Sequence, residues 1–208
     1  MAPKLTLTYF DFAGLAEPIR MALAVSGLEW EDKRLTREEF GALKPTLPHE
    51  QLPILEVDDK VLPQSNAQLR YVGKLAGLYP SDDLEAAFVD ATVDCVIDNH
   101  MHLRPTLMAK DEALKMEMRK DFAENFLVKW LGNMEKNLKK AGGVYFVGNK
   151  LSIGDLVVVC RLLWFKMGVL DGIPATCVDD YPLLSALVEL VTSEPKIAAY
   201  NNAKVTIQ

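Results

Sequence analysis

The first eighty residues alternate short strand-like and helix-like segments. Residues 4–9 alternate leucine and tyrosine with threonine, which is the two-residue period of a strand with one buried face. A helix is predicted to begin at Glu17-Pro18, because a proline in the first turn loses no hydrogen bond, and to end at Gly27. Residues 30–35 form the next predicted strand. A helix between two strands predicts a βαβ unit with parallel pairing.

The next segment lacks a clear period and is predicted to be a loop over residues 36–48, with room for one helical turn. A strand is then predicted over residues 54–57, an acidic turn at Asp58-Asp59, a short strand over residues 60–62 and a helix over residues 65–76. The order βαβ followed by ββα predicts a four-stranded mixed sheet with helices, of the thioredoxin type.

The segment 77–83 is rich in glycine, proline, serine and aspartate, which predicts a linker between domains 1–80 and 81–208. Beyond it the pattern is helical throughout, so the fold class is an α/β N-terminal domain followed by an all-α C-terminal domain. Ser152 and Asp155 have the spacing of a capping box, and we expect Asp155 to stabilise a helix N-terminus. The predicted helices span residues 84–109, 111–141, 152–167, 181–193 and 196–202.

Composition excludes several classes of partner. The net charge of −6 opposes binding to nucleic acid or to an anionic membrane surface. The longest apolar run, around residues 156–163, is interrupted by Arg161 and is too short to span a bilayer. The N-terminus has no secretory apolar segment, and the three cysteines are widely separated, so we expect a cytoplasmic protein with reduced thiols. His100 and His102 face different ways on a helix, so no metal site is predicted.

Leu52-Pro53 and Gln64-Ser65 are the segments with the clearest binding potential. A proline cannot donate to a strand ladder, so Pro53 is expected just before the strand, with Leu52 extended and its backbone polar groups open to a peptide partner. Gln64-Ser65 begins a helix, whose free N–H groups attract carboxylates. The pattern is compatible with a peptide-binding edge beside an anion site, although taken alone it favours an ordinary strand start and helix cap.

The order of five motifs resembles that of cytosolic glutathione transferases over nearly the whole chain. The motifs are Tyr9-Phe10, residues 14–20 (GLAEPIR), residues 51–55 (QLPIL), Gln64-Ser65 and residues 152–156 (SIGDL). The resemblance is to the tyrosine-type branches, sigma-like most of all, with a mu-like Gly14-Leu15-Ala16. It implies a cytoplasmic, homodimeric detoxification enzyme that joins glutathione, its co-substrate, to small hydrophobic electrophiles without a metal.

Tyr9 is the catalytic residue that the resemblance implies. A free thiol has a pKa of about 8.5, so little thiolate is present at neutral pH. A phenol that donates a hydrogen bond to the sulfur favours the thiolate and lowers that pKa. Spacing alone favours instead an aromatic residue that packs in the core at the end of a strand.

The resemblance also implies a glutathione site. Phe40 stands where many relatives have tryptophan, so it keeps an aromatic wall but lacks the indole N–H. The Leu52-Pro53 bond is expected to be cis. For Lys44 and Asp98 a solvated side chain remains the alternative. The implied glutathione-binding residues are Tyr9, Phe40, Lys44, Gln51, Leu52, Pro53, Gln64, Ser65 and, from the partner subunit of a dimer, Asp98.

The second substrate is expected between the domains, a common place for a small-molecule pocket. Sigma-like relatives carry arginines after the catalytic tyrosine, where this chain has Ala13 and Leu15. A guanidinium there would lower the thiol pKa, and Arg104 and Arg161 are the candidate substitutes. The residues expected to line the electrophile site are Phe10, Leu15, Met101, Arg104, Val157 and Arg161.

Other functions remain open at this stage. Glutathione-dependent isomerisation and peroxide reduction use the same thiolate, so the sequence does not separate them from conjugation. Ala13, Leu15 and Phe40 favour instead a ligand-binding or crystallin-like relative with little activity. A thioredoxin-like redox protein is disfavoured, because the first cysteine is Cys95, far from the first strand and helix.

Overall fold

The computed structural model describes residues 2–205. They form two compact units, one containing residues up to Tyr79 together with the segment from Pro195, and the other spanning Pro80–Glu194. The strands are β1 (Leu5–Phe10), β2 (Trp30–Leu35), β3 (Ile54–Val57) and β4 (Lys60–Leu62). The helices are α1 (Glu17–Ser26), α2 (Arg37–Leu43), α3 (Ser65–Leu75), α4 (Asp83–Met108), α5 (Glu112–Asp121), α6 (Val128–Lys140), α7 (Ile153–Lys166), α8 (Pro182–Thr192) and α9 (Pro195–Val205).

The first unit contains the predicted thioredoxin-like sheet. Its strand order is β2-β1-β3-β4, with β1 parallel to β2 and antiparallel to β3, and with β3 antiparallel to β4. Leu5 and Leu7 of β1 and Ile19 and Leu23 of α1 are at most 1% exposed. The leucines of β1 and the apolar side of α1 therefore form this core, as the sequence predicted, but Thr6 and Thr8 are buried as well, so both faces of β1 are covered rather than one.

The prediction of a loop over residues 36–48 was wrong, because α2 lies there. The Oγ1 atom of Thr36 accepts a hydrogen bond from the Glu39 N–H at 3.2 Å, and the Glu39 carboxylate accepts one from the Thr36 N–H at 2.7 Å. These two bonds are a capping box, which satisfies donors that a helix start leaves free. The helix buries none of its residues, so no apolar face marked it in the sequence.

The second unit is helical, as predicted. In it α4 packs against α7, and α8 packs against both α6 and α7. The predicted helix over 111–141 is interrupted in its hydrogen bonding: α5 passes into a π-helical segment, Phe122–Leu127, and then into α6. Within the described range, none of the helices is both long and apolar enough to cross a membrane.

The helix α9 belongs to the first unit by its contacts. It packs against α1, and Lys196 Nζ donates a hydrogen bond to the Val25 carbonyl at 2.6 Å. Ile197 is fully buried, and the rings of Tyr200 and Trp30 have centroids 6.4 Å apart. The division expected from the sequence, 1–80 and 81–208, differs from this grouping at the C-terminus, because periodicity predicts a helix without showing what it packs against.

Asp155 forms the predicted capping box and a further bond. Its Oδ2 atom accepts hydrogen bonds from the N–H and the hydroxyl of Ser152 at 2.8 and 2.7 Å, and its Oδ1 atom accepts one from the Phe146 N–H at 2.9 Å. The side chain is fully buried. Burial raises the pKa of Asp155, and the three hydrogen bonds oppose that rise. Asp155 thus fixes both the start of α7 and the connector before it.

We expect Asp155→Ala to lower the free energy of unfolding by about 2–4 kcal/mol, since it leaves buried donors without an acceptor. Urea denaturation measures the change. Asp111→Ala is the matched control, because Asp111 caps α5 through one exposed bond, from the Leu114 N–H, and its loss should cost about 1 kcal/mol or less. Equal losses for the two variants would contradict this structural role of Asp155.

Candidate active site

The hydroxyl of Tyr9 is held near the end of β1 with its hydrogen available. Tyr9 is 6% exposed, and its oxygen accepts a hydrogen bond from the Leu15 N–H at 3.3 Å. Within residues 2–205 no acceptor lies within hydrogen-bonding distance for the phenolic hydrogen. The phenol is therefore oriented by one bond and keeps a donor for an incoming group.

The backbone at Gly14 closes over this hydroxyl. Gly14 has a φ of +46°, and a Cβ atom there would lie 2.6 Å from the Tyr9 hydroxyl oxygen. Any other residue would push the ring away, so glycine is required by both the conformation and the space.

The electrostatic surroundings keep Tyr9 protonated. Burial raises the pKa of Tyr9, while the hydrogen bond from Leu15 and the positive charge of Arg20 lower it, and the rise prevails. The ordinary value is about 10, so the side chain is a neutral phenol at pH 7. Tyr9 can thus donate a hydrogen bond to an anion, and it does not act there as a phenolate base.

Arg20 is the cation of this site, and the sequence reasoning missed it. Its guanidinium is 1% exposed and lies 5.9 Å from the centroid of the Tyr9 ring. It donates hydrogen bonds to Asp32 Oδ1 at 3.1 Å and to the carbonyls of Phe12 and Phe10 at 2.8 and 3.2 Å. The signal in the sequence was a single arginine among the apolar residues 18–25 of α1.

An aromatic cluster lies beside Tyr9. Phe10 meets the ring of Phe40 edge-on at a centroid distance of 5.3 Å and stacks on Phe12 at 5.7 Å. Phe10 and Phe40 were predicted as site residues, whereas Phe12 was missed. Phe12 is 55% exposed, so it presents apolar ring surface to solvent.

The backbone just before β3 is open to a partner. The Leu52–Pro53 peptide bond is cis, as the resemblance implied. Pro53 is buried and its carbonyl accepts a hydrogen bond from Gln68 Nε2 at 2.8 Å, a contact that the sequence did not indicate. In the described part of the chain, the N–H and C=O of Leu52 make no hydrogen bond. Gln51, beside it, is exposed.

The start of α3 has an unusual backbone and no side-chain cap. Gln64 occupies the N-cap position with φ 69° and ψ 107°, values that a residue other than glycine rarely adopts. Ser65 is half-buried and begins the helix. N–H groups in a first turn without a side-chain cap remain available to an anion.

The remaining predicted glutathione contacts lie at the surface. Lys44 is exposed, and its Nζ lies 4.0 Å from the Glu50 carboxylate, so any anion bound by Lys44 competes with Glu50. Asp98 is exposed on α4 in the helical unit. The contact of Asp98 with a partner subunit stays a prediction.

The six predicted electrophile residues divide between the units. Phe10 is half-buried and Leu15 is 45% exposed in the first unit. In the helical unit, α4 carries Met101 and Arg104, both exposed, and α7, which packs against it, carries Val157, buried, and Arg161, half-buried. Among the described residues, no group of three or more His, Cys, Asp or Glu side chains is placed to hold a metal ion.

Comparison with known proteins identifies the family. Residues 5–74 match the family described as glutathione S-transferase, N-terminal domain, and residues 97–204 match glutathione S-transferase, C-terminal domain. The chain belongs to the glutathione S-transferase family. Glutathione, the substrate of that family, is therefore the molecule to consider at Tyr9, Leu52 and the start of α3.

Similar proteins are named as a glutathione S-transferase, an S-crystallin and a prostaglandin synthase. Glutathione S-transferase 1 of Ascaris suum is 42% identical over 163 residues, which cover 77% of this chain and 79% of the relative. S-crystallin SL11 of Nototodarus sloanii is 33% identical over 95% of each chain. The structure of prostaglandin synthase D of Nilaparvata lugens superposes with a TM-score of 0.89 at 34% identity, covering 96% of this chain and 98% of that one.

We expect Arg20→Met to lower the free energy of unfolding by about 3–5 kcal/mol, because it removes the donor to Asp32 Oδ1 and to the carbonyls of Phe10 and Phe12 and the charge that pairs with buried Glu17. Arg34→Met is the control: Arg34 also pairs with Asp32, and with Asp11, but at the surface, so about 1 kcal/mol or less should be lost. Urea denaturation of both variants measures the difference, and losses of the same size would show that Arg20 does not anchor the loop.

Proposed function

We propose that this glutathione S-transferase joins the thiolate of glutathione to small hydrophobic electrophiles, and that Tyr9 stabilises the thiolate. The observation that carries the proposal is the Tyr9 hydroxyl: it is buried, neutral at pH 7 and supplied with one hydrogen bond from Leu15, so its own hydrogen is free to bind sulfur. The guanidinium carbon of Arg20 lies 5.9 Å from the centroid of the Tyr9 ring and adds positive potential at the phenol.

The chemistry follows from the pKa of the thiol. A hydrogen bond donated to the sulfur favours the charged form, so a larger fraction of bound glutathione is thiolate at pH 7. The thiolate attacks the electrophilic carbon, a C–S bond forms, and the electron pair leaves with the displaced group. The thiol proton goes to solvent. Tyr9 remains a phenol throughout and transfers no proton.

We infer one direction for the glutathione tripeptide from the features of the first unit. Leu52, whose backbone groups are unbonded, pairs with the cysteinyl residue. The uncapped start of α3, at Gln64 and Ser65, receives the γ-glutamyl carboxylate. Gln51 contacts the tripeptide backbone and Lys44 the glycyl carboxylate. Phe40, in contact with Phe10, forms an aromatic wall, and Pro53 lies beneath the peptide.

The proposal extends to class, assembly and location. The chain is a tyrosine-type, sigma-like transferase with a detoxification role, a class supported by the order of its motifs although Ala13 and Leu15 depart from the sigma-like pattern. It is a cytoplasmic homodimer in which Asp98 of one subunit reaches the glutathione bound to the other. The exposure of Asp98 on α4 supports this role.

Two further functions have specific support. Glutathione-dependent isomerisation is supported by the similarity to a protein named prostaglandin synthase D. A binding protein with little turnover is supported by the S-crystallin relative and by Ala13, Leu15 and Phe40, which replace functional side chains of more typical transferases. Glutathione-dependent peroxide reduction would use the same thiolate.

The Tyr9→Phe variant tests the mechanism. It removes one charge-assisted hydrogen bond, so kcat/KM with glutathione and 1-chloro-2,4-dinitrobenzene should fall by about 10- to 100-fold. The pKa of bound glutathione, read from the ultraviolet absorbance of the thiolate against pH, should rise by about 1 to 2. Activity of Tyr9→Phe relative to wild type should therefore recover as the pH is raised.

Tyr181→Phe is the control for this test, since Tyr181 donates its hydroxyl to the Val128 carbonyl in the helical unit and should leave turnover unchanged. Unchanged turnover in Tyr9→Phe removes Tyr9 from the mechanism. Retention of the wild type on immobilised glutathione without turnover favours the binding protein. Absence of both retention and turnover overturns the proposed function.

A further inference from the structure

A positively charged side chain lies between two packed helices of the second unit without a counterion. Arg161 on α7 is half-buried, and its Nη1 atom is fully buried without a hydrogen-bond acceptor in the described chain. The guanidinium carbon lies 4.9 Å from the centroid of the Trp164 ring. Across residues 2–205, no carboxylate lies within ion-pair distance of Arg161.

The neighbouring titratable groups add positive charge. His100 on α4 is half-buried, and its Nδ1 atom is buried without a partner in the described chain. Burial, followed by the charges of Arg161 and Arg104, lowers the pKa of His100, so it is neutral at pH 7. Burial also lowers the pKa of Arg161, to about 10, and Arg161 therefore keeps its charge at pH 7. Arg161, Arg104 and His100 together carry two positive charges and one neutral imidazole.

The two arginines that are buried in the described residues, Arg20 and Arg119, each contact a carboxylate, although Arg119 Nε has no hydrogen-bond partner there. Arg20 contacts Asp32 and Glu17, and Arg119 on α5 donates to the carbonyl and carboxylate of Asp171. Burial of a charge is unfavourable unless an opposite charge or strong hydrogen bonds compensate it. The described residues offer Arg161 the face of the Trp164 ring and no carboxylate. An anion from outside the chain would therefore bind more tightly here than at an exposed arginine.

The residues around Arg161 favour an organic carboxylate over an inorganic anion. A guanidinium donates two parallel hydrogen bonds that match the two oxygens of a carboxylate. The half-buried Trp164 ring, whose centroid lies 4.9 Å from the guanidinium carbon, is an apolar surface beside the charge. An apolar body with one carboxylate is therefore a better match to these residues than an inorganic anion.

We propose that Arg161, assisted by Arg104 and His100, binds the carboxylate of an organic acid, and that the electrophiles of this enzyme carry such a group. The first part concerns binding alone. The second part rests on the proposed function, because it makes the bound acid a substrate for conjugation.

Calorimetric titration of the full-length protein without glutathione tests the binding. The probes are 3,5-dinitrobenzoate and its methyl ester, which share a body and differ in charge. Wild type should bind the carboxylate at least about tenfold more tightly than the ester. Arg161→Met should abolish that ratio, and Arg161→Lys should keep part of it. Lys136→Met, which removes an exposed charge on α6, should leave it unchanged.

A wild-type protein without preference for the carboxylate overturns the inference, and this result needs no variant. Equal weakening of both probes in Arg161→Met, with a lower unfolding midpoint, also overturns it, since that pattern indicates a structural role. Conjugation of 4-chloro-3,5-dinitrobenzoate and its methyl ester then tests the substrate role through the ratio of kcat/KM. Carboxylate preference in binding without conjugation of either probe supports the anion site while counting against the proposed function.

Discussion

The guanidinium of Arg20 organises the first unit. It reaches from α1 to Asp32 on β2 and to the carbonyls of Phe10 and Phe12. A guanidinium has five donors in one plane, so a single side chain can bind a strand, a helix and a loop at once, which the ammonium of lysine cannot do with the same geometry. Because the loop is fixed, Gly14 and the Leu15 N–H are held against the Tyr9 hydroxyl. The position of the candidate catalytic hydroxyl thus depends on a buried ionic contact.

Local patterns predicted most of the secondary structure. The alternation in β1, the proline at the start of α1, and the capping box of Ser152 and Asp155 each depend on residues close together in the chain, so they are visible in one sequence. The helix α2 was missed although Thr36 and Glu39 carry a capping signal, because no apolar run follows them. The π-helical segment between α5 and α6 depends on how those helices pack, and no short motif marks it.

The candidate site likewise contains residues that local sequence signals mark and residues that only the folded contacts reveal. Tyr9, Leu52-Pro53 and Gln64-Ser65 were proposed as site residues from the family resemblance, and local signals placed them at the ends or starts of elements. Arg20, Phe12 and Gln68 act through partners that folding brings to them, and their roles were invisible before the contacts were known. The sequence suggested that Arg161 lowers the pKa of the thiol in place of a missing arginine. From its surroundings in the structure we propose instead that it binds a carboxylate. Arg20, which is paired, holds a loop in place, whereas the role that we propose for Arg161 depends on its having no carboxylate partner in the described residues.

The contacts of α9 determine the order in which the molecule can be completed during translation. A ribosome makes residues in chain order, so the whole helical unit is synthesised after the sheet and before α9. Until Ile197 and Lys196 emerge, the surface of α1 that they cover in the finished protein lies open. The nascent first unit therefore exposes an apolar patch throughout the synthesis of the second, a period in which chaperones have access to it.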